Sequence, residues 1–565
     1  MKIIVIVSDT LRTDHISAYG MPAPWKRAGH ENEPFIHTPN IDGLAKQSAM
    51  FDGFRVGSYP TIPCRLDLFT GRFSFPTRGW VPLSQDDTTI VDILNKYDYL
   101  TELVFDTPPL ADNEFNFTRS FTGWEWARGQ HRDRWNTEPL KGDLPCKMHK
   151  IKNLDMLLPY LRNAASRKYE REWSCAKTFI AAGEWLERNY QNENLFLWVD
   201  TWDPHEPFDV PKYYLEKYRD PSYRGESVIY PKYGRPNYLS QEETNDIRAS
   251  YAAKVTLMDR WLGEFLRTVD VLGIREDTLL IFLSDHGHLF DEHNLEGKPT
   301  GPHGMLYECT TRIPLLIRHP NDIGAGKRFE GFCQPVDVLP TILDVAGIKL
   351  PIDIDGRSLL PMIEGRKEEI RKATFSGRYS RAVAIQGVKT TEINNDSAAL
   401  FDGWVGADFA SEPVTATTKD WALIWPSNNG GDPELYNISK DPQQLKNVVK
   451  ENLSVVIDLY RQLITFLENS HVSRERLESY KLSDERDPFA GRKRKGFPLS
   501  TKLFTITIDG KHFAFLSKKE ALLNIPTNAG TGVSEETLGD FSKFGHNAFI
   551  CIGNQYYWPD DIIEE

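Results

Sequence analysis

Short apolar runs that end abruptly in polar residues recur along the chain. Residues 3–7 form such a run before Ser8, Asp9 and Thr10, residues 195–199 precede the sequence DTWDPHEPF, and residues 278–283 precede SDHGH. Runs of this length, rich in β-branched and large apolar side chains, are typical of strands buried on both faces of a sheet. The pattern therefore predicts three buried strands whose carboxyl ends carry polar chemistry.

Segments with helical spacing separate these strands. Apolar residues recur at helical spacing between positions 254 and 269, which predicts a helix packed against the sheet. Strands that alternate with helices indicate an α/β fold with a mostly parallel central sheet flanked by helices. Because ligands of such sheets bind outside the carboxyl ends of the strands, we expect the three polar clusters to share one active site.

The length of the chain predicts more than one domain, since 565 residues exceed what one hydrophobic core usually serves. The pattern changes after Gly365, so we expect a catalytic α/β domain over residues 1–370, a smaller α+β subdomain over 371–470 and a C-terminal extension over 471–565. Within the extension, the sequence LFTITIDGKHFAFL predicts a hairpin that turns at Asp509 and Gly510. The basic sequence GRKRKGF before it is predicted to be a solvated linker.

The composition narrows the range of partners. A net charge of -13 repels nucleic acid and anionic lipid, so we expect neither as a partner, and an anionic substrate then requires a local positive site. The six cysteines are scattered without a CxxC spacing and predict free thiols. The first apolar run is too short for a signal or membrane segment, which predicts a cytoplasmic protein. The sequence leaves open whether the chain forms a homo-oligomer.

The most specific sequence is SYPTIPCRLDLFTGR at residues 58–72. It resembles the nucleophile motif of the sulfatase family, which reads Cys or Ser, x, Pro, Ser, Arg and continues to Thr-Gly-Arg. Further matches follow in the family's order, among them DTLRTDHISAYG, HTPNIDGLA, DPHEPF and SDHGHLFDEHNLEGK, and extend over roughly residues 1–450. The chain therefore resembles sulfatases of the alkaline phosphatase superfamily.

The resemblance implies an alkaline-phosphatase-like fold and a set of roles for individual residues. Asp9, Asp285 and His286 match the family's metal positions, and the Thr61 hydroxyl completes a site for a divalent ion, either Mn, Zn, Ca or Mg. In the nucleophile motif, Thr61 occupies the position of the nucleophile, and Arg65 is expected to fork onto it or onto the bound anion. His205 is expected to protonate the departing alcohol, whereas Lys298 and His303 are expected to bind the anion.

Other residues keep more than one interpretation. Thr10 stands where sulfatases often have a second aspartate, which removes one negative ligand. Asp106 and Thr107 either line the pocket or belong to a plain loop. A second metal site built from Asp200 or Asp203 with His205 and His303 is a further alternative. The residues expected to bind substrate or a second metal are Thr10, Asp106, Thr107, Asp203 and His303.

The threonine at position 61 decides the expected reaction. Sulfatases oxidise the motif cysteine to formylglycine, which is not possible for Thr61, and Cys64 lacks the sequence that the maturation enzyme reads. An ester on a threonine hydroxyl must be cleared by a second attack of water, which is familiar chemistry for phosphoryl groups. We therefore expect metal-dependent hydrolysis of a phosphodiester or phosphonate monoester, in a small-molecule or saccharide-type anionic substrate. The alternatives are a sulfatase without formylglycine and an inactive sulfatase-like binding protein.

Overall fold

The computed structural model describes residues 1–21, 36–111, 115–140, 142–299, 304–379, 412–427, 430–484, 486–492, 496–523, 532–552 and 555–563. The strands are β1 Lys2–Ser8, β2 Ala49–Phe51, β3 Leu100–Phe105, β4 Gly123–Trp126, β5 Leu195–Thr201, β6 Tyr233–Gly234, β7 Thr278–Ser284, β8 Leu289–Phe290, β9 Glu296–Gly297, β10 Leu315–Arg318, β11 Arg328–Phe329, β12 Thr374–Gly377, β13 Val414–Thr417, β14 Trp421–Trp425, β15 Glu434–Asn437, β16 Lys502–Ile508, β17 Lys511–Phe515, β18 Ser534–Thr537, β19 Ala548–Ile552 and β20 Gln555–Tyr557.

The α-helices lie mostly in the first two thirds of the chain. They span Pro39–Lys46, Thr61–Thr70, Ile90–Asn95, Pro108–Ala111, Leu154–Ala164, Ser174–Asn189, Lys212–Leu215, Gln241–Val271, Glu308–Thr311, Val338–Val345, Leu360–Ile363, Leu453–Asn469, Arg474–Glu478, Lys518–Leu523, Leu538–Phe541 and Pro559–Ile562. Among the described residues, none of these helices is long and apolar enough to cross a membrane.

The central sheet has the strand order β11-β2-β10-β7-β1-β5-β3-β4. Its core is parallel, because β1 pairs with both β5 and β7, and β3 pairs with β4 and β5 in the same direction. Antiparallel pairing begins where β10 joins β7. Every residue of β1, β5 and β7 is buried, as expected for strands covered by helices on both faces. The predicted α/β fold and the three predicted strands are confirmed.

Long helices cover this sheet. The predicted helix over 254–269 is the central part of Gln241–Val271, which begins with a capping box of Ser240 and Glu243 and packs against the helix Ser174–Asn189. Its residues Val255, Leu257, Met258, Leu262 and Phe265 are buried. These side chains pack in the core together with residues of β1, β5 and β7. Because this core is closely packed, the carboxyl ends of the three strands are held in fixed positions.

A small antiparallel sheet of β12, β13, β14 and β15 follows the central sheet in the chain. It packs against the helix Leu453–Asn469 through a separate apolar cluster that includes Trp425, Leu459 and Leu463. This arrangement of a sheet and a helix matches the α+β character expected after residue 370. The domain boundaries themselves stay a prediction.

The C-terminal residues form a third sheet, in the order β18-β16-β17-β19-β20-β6-β9-β8. The predicted hairpin is confirmed, since β16 and β17 pair across Asp509 and Gly510, both with positive φ. Three short strands from the catalytic part of the chain continue this sheet. At the junction Gly234 has a φ of 96°, and an added Cβ would lie 2.2 Å from the carbonyl oxygen of Tyr556, so only glycine fits.

Candidate active site

The ends of β1 and β7 bring two predicted ligands together. These strands are parallel neighbours with Ser8 opposite Ser284, so Asp9 and Asp285 follow at the same edge of the sheet. Between them lies Thr10, whose φ of 67° is unusual for a residue with a side chain. Its backbone N–H donates to Asp285 Oδ1 at 2.9 Å, and its hydroxyl donates to Asp9 Oδ1 at 2.7 Å. Thr10 therefore orients both carboxylates.

Thr61 lies at the same point, as the first residue of the helix Thr61–Thr70. Its Oγ1 is 3.0 Å from Nε2 of His286. The other ring nitrogen, Nδ1, donates to the carbonyl of Gly287 at 2.9 Å, so Nε2 carries the lone pair and accepts from the threonine hydroxyl. Burial lowers the pKa of His286 to about 4, which keeps the imidazole neutral. The structure thus joins the predicted nucleophile to a predicted metal ligand.

The helix Thr61–Thr70 is buried along its whole length. It ends at Gly71, which has a φ of 67°, the left-handed conformation usual after a helix. Cys64 is fully buried in the apolar cluster beneath, and burial raises the pKa of its thiol well above the ordinary value. Cys64 is therefore a packed thiol. All six cysteines are free of disulfides, which confirms that prediction.

Arg65 contacts two buried carboxylates of the site. Its guanidinium forks onto Asp200, with Nε to Oδ2 at 3.0 Å and Nη2 to Oδ1 at 2.7 Å. Its Nη1 donates to Asp285 Oδ2 at 2.6 Å and to the Thr61 carbonyl at 3.1 Å. The fork contacts Asp200, and Arg65 reaches Thr61 at its backbone carbonyl. The expected contact of Arg65 with the nucleophile or the bound anion stays a prediction. In the structure, Arg65 links the candidate metal ligand Asp285 to the start of the helix Thr61–Thr70.

Asp200, which the sequence offers only as an alternative ligand of a second metal, has another role in the structure. It is the last residue but one of β5, beside β1, and both of its carboxylate oxygens accept from Arg65. Thr107 donates its hydroxyl to the same carboxylate at 2.5 Å, and Trp198 donates its indole N–H at 3.2 Å. The carboxylate of Asp200 therefore accepts its hydrogen bonds from the protein itself. The signal for Asp200 in the sequence is a carboxylate at the end of a predicted central strand.

The charges of this cluster fit a divalent cation. Asp9, Asp200 and Asp285 are fully buried around the single guanidinium of Arg65, so two negative charges are in excess. The ligand atoms of Asp9, Asp285 and His286 all lie within 4.8 Å of one another. Among the described residues, Oδ2 of Asp9 accepts no hydrogen bond, and Nη2 of Arg65 lies 3.2 Å from it. Burial and the charge of Asp285 raise the pKa of Asp9, as expected where an ion belongs.

A second buried cluster surrounds Glu206 in the DPHEP turn. Lys298 Nζ donates to Glu206 Oε2 at 3.1 Å, Lys152 Nζ lies 3.5 Å from Oε1, and the Tyr233 hydroxyl donates to the same oxygen. Burial lowers the pKa of Lys298, while Glu206 opposes that shift. Glu206 therefore fixes the position of the predicted anion-binding lysine. Sequence reasoning missed Glu206, whose only signal was a charged residue between two prolines.

His205 lies beside Glu206 and is fully held. Its Nδ1 donates to the Glu206 carbonyl at 2.7 Å, and its ring lies 3.8 Å from the ring of Trp202. Burial lowers the pKa of His205 well below its ordinary value, so the resting imidazole is neutral with the lone pair on Nε2. His205, the predicted proton donor for the departing alcohol, therefore has no proton on Nε2 at rest.

The remaining predicted residues lie behind this site. Asp203 Oδ1 pairs with Lys254 Nζ at 2.9 Å, and Gln130 Nε2 lies 3.3 Å from both Asp203 Oδ1 and Asp106 Oδ2. Asp106 also accepts the backbone N–H of Trp202 at 2.9 Å. In the part of the chain that the structure describes, Asp9, Asp285 and His286 are the one group of three with metal-ligand spacing. His303 lies outside the described residues.

Asp106 gives the fold a pH-dependent contribution. Burial, followed by the charge of Asp203, raises the pKa of Asp106 to about 7. A carboxyl whose pKa rises on folding stabilises the fold below its unfolded value and loses that contribution as pH rises through the folded value. We therefore expect this group to remove up to ~4 kcal/mol of stability between about pH 4 and about pH 7.

The variant Asp106→Asn should lack this part of the pH dependence. Denaturant unfolding of wild type and variant at about pH 5 and about pH 8 measures the difference between the two slopes. Because Asp106 and Asp203 interact, the difference reports Asp106 together with its interaction with Asp203. An unchanged pH dependence in the variant would show that Asp106 is ionised throughout.

The comparisons with known proteins agree with this geometry. The family model described as Sulfatase matches residues 2–348, which contain the candidate metal ligands Asp9, Asp285 and His286 and the helix Thr61–Thr70. The chain belongs to the sulfatase family. A second family model, described as N-sulphoglucosamine sulphohydrolase, C-terminal, matches residues 302–396. The resemblance inferred from the motifs is therefore confirmed.

Individual relatives extend over most of the chain. An arylsulfatase of Clostridium perfringens is 25% identical over 504 residues, covering 82% of this chain and 93% of the relative. The multifunctional alkaline phosphatase superfamily protein PehA of Trinickia caryophylli is 27% identical over 440 residues, covering 66% and 78%. The phosphonate monoester hydrolase of Agrobacterium radiobacter superposes with a TM-score of 0.64 at 21% identity, covering 83% and 96%. This sulfatase-family chain therefore has an alkaline-phosphatase-like fold.

Proposed function

We propose that this chain hydrolyses a phosphodiester or phosphonate monoester through a covalent ester on Thr61. The observation that carries the proposal is the 3.0 Å contact between the Thr61 hydroxyl and His286, within the group of Asp9, Asp285 and His286. A divalent ion held by that group would lower the pKa of the hydroxyl and polarise the ester. An unactivated threonine on a packed helix has no comparable means of attack.

The residues of the chain have separate tasks in the first step. Thr61 Oγ forms a bond to phosphorus and loses its proton, while the bond between phosphorus and the leaving oxygen breaks and that oxygen takes up a proton. Arg65 holds the Thr61 carbonyl and the Asp285 carboxylate, so the hydroxyl stays in register with the ligands. Lys298, held by Glu206, supplies positive charge for the oxygens of the anion.

The second step returns the enzyme to its starting form. Water attacks phosphorus, the bond to Thr61 Oγ breaks, and the hydroxyl regains its proton. The neutral imidazole of His205 suits acceptance of a proton at Nε2 from this water. In this proposal His205 becomes a donor only after it has accepted that proton, which fits its lowered pKa better than a resting acid does.

Hydrolysis of a sulfate ester is the second candidate. It is favoured by the 25% identity to the arylsulfatase over 82% of this chain. Against it stands the chemistry of Thr61, which has no aldehyde with which to expel sulfate and would have to release it by attack of water at sulfur. The third candidate, an inactive binding protein, is disfavoured by the complete buried set of ligands, nucleophile and lysine.

Turnover of matched nitrophenyl esters tests the proposal. The set comprises a phosphodiester, a phosphonate monoester, a phosphate monoester and a sulfate, each assayed with added Mn, Zn, Mg or Ca. We expect kcat/KM for the diester or phosphonate to exceed that for sulfate by at least ~10-fold, which corresponds to about 1.4 kcal/mol of transition-state preference. Chelation should remove this turnover, and added metal should restore it. Preference for sulfate would favour the second candidate, and no turnover with any metal the third.

A further inference from the structure

Arg378 is a buried cation that the proposed reaction does not use. It follows β12 at the start of the second sheet and is only 4% exposed. Its Nη1 donates to the carbonyl of Pro299 at 2.7 Å, so it is tied to the residue that follows Lys298. Its Cζ lies 4.8 Å from the ring centroid of Tyr59, and that ring lies 5.1 Å from the ring of His286. Arg378 is therefore separated from the metal ligands by one aromatic ring.

Among the described residues, no carboxylate balances the charge of Arg378. In the described part of the chain, no carboxylate lies within ion-pair distance of its guanidinium, and its Nε has no hydrogen-bond partner. Burial lowers the pKa of Arg378, and the groups that oppose this shift are tyrosines, with Tyr59 foremost. Arg65, by contrast, is equally buried but is surrounded by carboxylates. A buried cation without a counter-charge is costly, which favours a site that an anion completes.

The neighbouring charges have the same sign. Lys298 and Lys152 both lie beside the buried carboxylate of Glu206, and Arg378 is a third cation on this side of the candidate site. The hydroxyl of Tyr233 also donates to Glu206, and the Tyr233 ring centroid lies 3.8 Å from Lys152 Nζ and 5.2 Å from Lys298 Nζ. A cluster of cations favours the approach of an anionic ligand.

We propose that Arg378 anchors a second anion subsite, which binds a carboxylate or sulfate carried by the organic part of the substrate. The reacting ester belongs at Thr61, and this placement rests on the proposed function. The ring of Tyr59 stands between His286 and Arg378, so the guanidinium meets a group other than the one being transferred. The substrate class is therefore an ester with at least two anionic groups, and Arg378 is a specificity residue for the second.

The test compares three nitrophenyl esters of the same acid. One is plain, and the other two carry a carboxylate on the phenyl ring, either ortho or meta to the ester oxygen. We expect Arg378→Gln to lower kcat/KM for one carboxylated isomer by about 10- to 100-fold, the usual effect of losing charge-assisted hydrogen bonds. The plain ester should change by less than about 3-fold. Arg378→Lys should retain part of the preference, because it keeps the charge but loses the fork.

Equal losses for the plain and carboxylated esters would overturn the proposal, since a structural role or a contact to the reacting group affects both alike. Equal kcat/KM values for all esters in the wild type would overturn it as well. If Arg378→Gln does not fold, inhibition of the wild type and of Arg378→Lys is measured instead. The free carboxylated phenol should inhibit the wild type more strongly than the plain phenol does, and this difference should be smaller in Arg378→Lys. An unchanged difference would overturn the proposal. If the wild type hydrolyses none of the esters, the proposed function fails, and calorimetric binding of these phenols tests the subsite independently.

Discussion

Thr61→Ala should abolish turnover of the preferred ester while the protein stays folded and keeps its metal. Removing a covalent nucleophile typically costs at least ~10³-fold in kcat, because only binding and electrostatic stabilisation remain. Asp9, Asp285 and His286 follow strands that the substitution leaves intact, so the variant should still bind the ion through these three ligands although it lacks the Thr61 hydroxyl. Single-turnover kinetics and metal analysis on the same preparations measure both quantities.

Two matched variants control for this substitution. Thr61→Ser keeps the hydroxyl beside His286 and should stay within about 10-fold of wild type. Cys64→Ser changes a buried side chain one turn further along the same helix and should leave the rate of the chemical step nearly unaltered. Retention of activity by Thr61→Ala would remove the threonine from the reaction. Loss of activity in Cys64→Ser, with the fold intact, would direct attention to the thiol.

Arg65→Gln should destabilise the protein more than any other single substitution in the site. The variant leaves Asp200 and Asp285 buried without the cation that both contact at 2.6 to 2.7 Å. Removing one partner of a buried ion pair typically costs about 4 kcal/mol, because the remaining charge is uncompensated. Denaturant unfolding with chelator and again with saturating metal measures this loss and separates it from metal linkage.

An exposed pair provides the matched control. Arg328 pairs with Asp52 at 2.7 Å, but its side chain is 46% exposed, so Arg328→Gln should cost less than about 1 kcal/mol. The two variants remove the same charge, so the difference between their losses of stability measures the effect of burial. If Arg65→Gln unfolds at the same denaturant concentration as Arg328→Gln, the proposed organising role of Arg65 is wrong.

The parts of the fold that sequence reasoning predicted depend on local patterns. The strands β1, β5 and β7 were recognisable because each is an apolar run bounded by polar residues. The hairpin at Asp509 and Gly510 was recognisable because this dipeptide favours the positive φ that the turn needs. The grouping of Asp9 with Asp285 followed from the rule that carboxyl ends of parallel strands meet.

The parts that it missed depend on contacts between distant segments. Nothing in the spacing of Arg65 identifies Asp200, 135 positions away, as its main partner. The Glu206 cluster likewise unites Lys152, Tyr233 and Lys298 from separate loops. The third sheet is completed by strands of two residues, too short for any period to be visible. Such features follow from packing, which a hydrophobic pattern does not encode.

The central claim, a covalent ester on Thr61, is tested most directly by rapid acid quench during turnover of the phosphodiester, followed by mass spectrometry of the peptide that contains residues 58–72. The account predicts that this peptide carries the transferred phosphoryl group on Thr61 early in the reaction. It also predicts that the modification is absent in Thr61→Ala and lost as substrate is exhausted. An unmodified peptide throughout turnover, under conditions where a burst of nitrophenol shows that an intermediate accumulates, would contradict the claim.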